Sequence, residues 1–268
     1  MSKVRLVNAI IAIKNAPFCM FNYKNIFLLV PFILTGCGVV AATDKTATNT
    51  EEATVNQHEV NEAIELTFVE HLEAGMTEQD VFIEQEEGSN DVYRVIPEER
   101  EKYSSNQLYA STVSLSHDVF EKKMLGPYLK GKSLNMTLEN WLSAEGTAQI
   151  QCENGKGALT ANFSNLVPNG IYTMWNVFLP RPLVGPLKML DLPIGARDGS
   201  EAKFTADGEG SANYNVSDFE HCLQLSGDQL VSVLALTWQS DGVTHASTMG
   251  SLGETSHVQL FVALPNAE

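Results

Sequence analysis

Three histidines in the last fifth of the chain, His221, His245 and His257, are of the residue type that copper and zinc accept, and Met249 adds a soft thioether between the last two. Their spacing fits no metal motif, and no cysteine stands near the C-terminus as a blue-copper site requires. A metal carrier or metal-dependent enzyme therefore stands only as the alternative to a simpler reading, with His245 exposed on a loop and His257 on a polar strand face. Asp198-Gly-Ser-Glu201 and Asp207-Gly-Glu209 offer oxygen ligands to calcium. They lack the alternating acids and downstream glutamate of an EF-hand loop, and turn formation explains both. Serine, histidine and aspartate are all present, yet no Gly-x-Ser-x-Gly elbow presents a nucleophile, and no phosphate-binding glycine loop or dinucleotide fingerprint occurs. Nothing fixes the separation that a glycosidase pair needs among the carboxylates. The sequence thus names no catalytic residue and no cofactor. Trp141, Trp175 and Trp238 would stack on a sugar or peptide if they shared an exposed face, and otherwise belong to a core.

The elements that must position these residues are strands. Leu134, Met136 and Leu138 alternate with polar residues, as do Ala148, Ile150 and Cys152, and Leu159, Ala161 and Phe163. Asn154-Gly155 between the last two sets supplies the positive φ angles of a two-residue hairpin turn, with Cys152 aimed inward. Tyr172–Phe178 follows a turn at Val167-Pro-Asn-Gly170, and Ala212, Tyr214 and Val216 follow Asp207-Gly-Glu-Gly210. The apolar run Leu230–Trp238 reads as a strand covered on both faces, and Val258–Val262 as a closing strand. The expected fold is mainly β, an antiparallel β-sandwich or barrel with one or two short helices. One helix is expected at Asp118–Leu125, where Asp118 and Glu121 have capping-box spacing, and a turn or two at Ser217–Glu220. Long loops at Pro180–Ser200 and Gln239–Ser256 are where a site would be carried.

Ahead of this β-sandwich domain, assigned to residues 108–268, lies an acidic, partly ordered segment at 58–107. Within it Val81–Ile83 and Val92–Ile96 flank a turn-like stretch and suggest a hairpin, and Val60–Leu72 reads as strand or helix. Residues 37–57 are small and polar, the composition of a flexible tether. The four basic residues before Cys37, at Lys3, Arg5, Lys14 and Lys24, have no acidic counterpart. The remainder carries 33 acidic against 13 basic residues, a net −20 against −16 for the whole chain. Such a surface repels nucleic acid phosphates.

Asn25–Gly36 is an apolar run after Lys24 that ends in small residues and is too short to span a bilayer, the layout of a secretory signal over 1–36. Met20-Phe-Asn-Tyr-Lys24 supplies its basic region, so Met20 is a candidate true start. Leu34-Thr35-Gly36-Cys37 resembles the lipobox of bacterial lipoproteins. That resemblance implies diacylglycerol and palmitate on Cys37, cleavage before it, and a cell-envelope address. With Gly rather than Asp at position 38, it implies the outer membrane if the host is Gram-negative. Setting Cys19 and Cys37 aside leaves Cys152 and Cys222, which in an exported chain read as a disulfide, or else as two buried thiols. The expected function is a lipid-anchored envelope protein whose sandwich binds a protein, glycan or other ligand through its loops.

Overall fold

The computed structural model describes residues 63–115, 125–181, 190–219 and 222–267. The signal, the lipobox with Cys37, the tether, all but the last residue of the helix expected at Asp118–Leu125, and His221 lie outside them. Where apolar and polar residues alternate, strands form. β6 (Glu145–Glu153) and β7 (Lys156–Ser164) pair as a hairpin, with Glu153 opposite Lys156. Asn154 and Gly155 turn it at φ 53° and 76°, a left-handed pair that glycine enters without steric cost. β1 (Ile64–Thr67) and β11 (Ala212–Phe219) add to its two sides, giving a four-stranded antiparallel sheet in the order β1-β6-β7-β11.

The second sheet centres on β8 (Ile171–Pro180) and β12 (Leu230–Gln239), with β13 (Ser256–Ala263) beyond β12. The other side of β8 is shared by β10 (Lys203–Thr205), opposite Ile171–Thr173, and β9 (Leu190–Pro193), opposite Trp175–Phe178. A third sheet orders β2 (Phe82–Ile83), β4 (Gln107–Ser111), β5 (Tyr128–Thr137) and β3 (Asp91–Val92). The expected hairpin is present in the mutual hydrogen bonds of Ile83 and Tyr93.

The first two sheets face each other. Leu66, Ile150, Leu159, Phe163 and Tyr214 of the first pack in one core with Tyr172, Met174, Leu236, Trp238 and Leu260 of the second. The far face of the second sheet, with Trp175, Val177, Ala235 and Phe261, is covered by Ala74 and Met249. Sheet two is therefore dry on both sides, which is why β12 is written as a nearly unbroken apolar run. The architecture is mainly β, a sandwich whose sheets do not close into a barrel among the described residues.

Several local expectations change. Ser217–Phe219 continues β11 past a register shift after Val216 rather than coiling into a helical turn, because β7 remains alongside to receive its backbone bonds. Leu138, read as a strand position, instead opens the short helix α1 (Leu138–Leu142). Thr137 accepts from the backbone N–H of Asn140, whose side chain accepts from the backbone of Thr137, and this reciprocal cap ends β5 there. The ambiguous stretch at Val60–Leu72 is a strand over Ile64–Thr67, and the Pro180–Ser200 loop contains β9. The acidic segment is continuous with the sandwich: β1 pairs with β6, and Val69 exchanges both backbone bonds with Phe261 of β13. One of its acids shapes the chain. Buried Glu70 accepts from the N–H groups of Leu72 and Glu73 and from Arg100 at 2.9 Å. Burial still holds its carboxyl above the ordinary glutamate range against those bonds.

Candidate functional site

Two places combine chemistry-bearing side chains with access. The first is a cleft of about 560 Å³ where the end of β11 passes the β8–β9 pair. Phe178, Leu192, Ile194, Phe219 and Leu223 give it apolar walls, and Arg197 and Glu201 are exposed residues in its lining. Asn176 supplies its buried polar group. Its amide nitrogen donates to Ser232 Oγ at 2.9 Å and to the Val233 carbonyl at 3.3 Å, which fixes the side chain and leaves Oδ1 as an acceptor. Cys222 lines the cleft and is disulfide-bonded to Cys152 on β6, with 5.2 Å between their Cα atoms. The bridge ties the segment after β11 to the tip of the β6–β7 hairpin and so holds one wall of the cleft in place.

The second lies where β12 ends and β13 begins. Trp238 is opposite His257 in the ladder, so Ser240, two residues on, falls on the same face as a diagonal neighbour of His257. The Ser240 hydroxyl oxygen is 2.9 Å from His257 Nε2, and the Asp80 carbonyl oxygen is 2.6 Å from Nδ1. A carbonyl only accepts, so the ring proton sits on Nδ1 and Nε2 presents its lone pair to Ser240. The Asp80 carboxylate accepts from Val258 N–H, gripping the same strand a second time. The imidazole is fully buried against the rings of Trp141 and Trp238. Burial pulls its pKa down to about 4, outweighing the Asp80 contact that raises it.

This corrects the expectation for His257. Both of its ring nitrogens are occupied inside the protein, so it is neither a surface residue on a polar face nor an available metal ligand. His245 is half-buried on the loop after β12, with Nε2 3.2 Å from Asp241 Oδ2. Among the described residues no group of three or more His, Cys, Asp or Glu is arranged to hold a metal ion. The two acidic turns use their carboxylates on themselves: Asp198 accepts from Ser200 N–H, and Asp207 from the N–H groups of Glu209 and Ser211. Trp141, Trp175 and Trp238 are all buried, so none offers a face to a sugar.

Sequence reasoning missed Ser240 and Asp80. Period-two alternation beyond Trp238 would place Ser240 on the side of its ring, but the 240–255 connection is too long to fix which residue it meets. No helix among the described residues is long and apolar enough to cross a membrane. The fold and the cleft define a disulfide-tied antiparallel β-sandwich with an apolar cleft beside the end of one strand. Compared with protein-family models, curated protein sequences and solved structures, the chain matches none.

Proposed function

We propose that this is a lipid-anchored protein of the bacterial cell envelope, held by lipid on Cys37, whose sandwich is a binding module for a small, largely apolar molecule. The cleft carries the binding half of the reading. Its volume of about 560 Å³ falls in the range of ligand pockets, roughly 300–1,000 Å³, and its apolar walls with one fixed polar group match their usual composition. The Asn176 carbonyl calls for a ligand with a hydrogen-bond donor on an apolar body. The address half rests on Leu34-Thr35-Gly36-Cys37 after its apolar run, and the outer membrane follows from Gly38 where the host is Gram-negative.

The test of binding is a fluorescence titration of the Cys37→Ser chain with N-phenyl-1-naphthylamine, an uncharged apolar probe with a single N–H. Saturation at one site is expected, weakened at least about tenfold in Leu192→Glu, the equivalent of roughly 1.4 kcal/mol. Unsaturable binding, or an affinity indifferent to Leu192→Glu, overturns the cleft reading. Labelled palmitate should enter the wild-type chain in cells and be absent from Cys37→Ser, and equal labelling of both refutes the anchor.

A further inference from the structure

We propose that Ser240 is a nucleophile activated by His257, able to take the acyl group of a small carboxylic ester. Three features of the site have the arrangement that nucleophilic catalysis by a serine requires. The nucleophile's oxygen lies 2.9 Å from Nε2 of an imidazole, and the imidazole's other nitrogen lies 2.6 Å from an acceptor that fixes the tautomer. Here the acceptor is the Asp80 main-chain carbonyl, with the Asp80 carboxylate close by. The position is also accessible: Ser240 is half-buried just past the end of β12, where Lys132 Nζ donates to its carbonyl at 2.8 Å, with the buried imidazole directly behind its hydroxyl.

The hydroxyl has one proton and two acceptors in reach, Nε2 and the Thr255 carbonyl at 3.1 Å. With Nε2 unprotonated, the proton is directed to the imidazole. In the reaction, Ser240 Oγ bonds to the ester carbonyl carbon as its proton passes to Nε2. Collapse of the tetrahedral intermediate breaks the carbon–alkoxide bond, and the leaving alkoxide takes the proton from Nε2 and departs as an alcohol. Water then attacks the acyl-serine with the same imidazole as base, releasing a carboxylic acid and restoring the hydroxyl. The charged and titratable groups around the ring are Asp80, Lys132 and Asp241. The two acids favour the imidazolium formed in each step, and Lys132 and burial oppose it. The base is weak, so covalent capture is a better readout than turnover.

The experiment treats the full-length chain with a tagged alkyl fluorophosphonate, which phosphonylates an activated serine with loss of fluoride, and locates the adduct by peptide mass spectrometry. One adduct is expected on Ser240, absent in Ser240→Ala and formed about 100-fold more slowly in His257→Gln, the scale of a lost general base. Because His257→Gln can weaken the fold, the wild-type rate is also followed with pH. It should be flat between pH 5.5 and pH 8, since the imidazole is unprotonated throughout, whereas an unassisted serine gains about tenfold per pH unit with hydroxide. No adduct on Ser240, or an adduct whose rate climbs with pH in that way, overturns the proposal.

Discussion

Acidification of the folded protein should expose the cost of burying His257. In the unfolded chain the imidazole titrates near 6.5, and in the folded chain near 4. Between those values the unfolded state carries a proton that the folded state does not, so unfolding takes up one proton and stability falls as pH falls. The contribution is fully present above pH 6.5. It declines by about 1.4 kcal/mol per pH unit and amounts to about 3 kcal/mol of lost stability by pH 4. Glu70 acts in the opposite sense. Its carboxyl is raised by burial, so its contribution is present below the ordinary glutamate value and lost as pH rises through the raised one. The His257 component is isolated by comparison with His257→Gln. Urea unfolding of both proteins between pH 4 and pH 8, followed by fluorescence of the tryptophans beside the ring, gives the two stability curves. Their difference should have a slope of about one proton between pH 6 and pH 4.5. Parallel curves through that interval would refute the argument, because a ring titrating alike in both states stores no such energy.

Reduction should be costly in proportion to the loop that the disulfide closes. With Cys152 and Cys222 separated by 70 positions in the chain, loop entropy sets the loss at about 4 kcal/mol, measured as the drop in urea midpoint on adding dithiothreitol, with the Cys152→Ser/Cys222→Ser double variant indifferent to it. Gln259→Leu should destabilise by about 1–3 kcal/mol in the same assay, since buried Gln259 accepts from Tyr172 OH and donates to the Trp141 carbonyl, and a leucine leaves both unmatched.

Much of the fold was legible in the residues themselves. The β6–β7 hairpin followed from alternation and Asn154-Gly155, the double burial of β12 from its apolar run, and the cysteine pair from count and context. What could not be read was set by partners remote in the chain. The tautomer of His257 is decided by Asp80, 177 residues away, and nothing near either residue announces the other. Gln259 is the extra residue of a bulge between the Leu236–Leu260 and Thr237–Val258 pairs, which lets His257 and Leu260 face the same core. Strict alternation would have put them on opposite sides. The cleft was hidden for the same reason, since β9 and the segment after β11 meet only through the packing of two sheets.

The last strand also has a temporal meaning. A chain emerges N-terminus first, and the stretch around Val69 and Asp80 is among the earliest of the folded part to appear. Its partners, Phe261, His257 and Val258, are among the latest. The stretch from Val69 to Asp80 must therefore wait for β13, although β1 before it already has β6 to pair with, and a chain cut short by a dozen residues loses the strand that locks this stretch in place. Until β13 has been made, any machinery handling the chain meets an open sheet edge beside β12 and an uncovered apolar face.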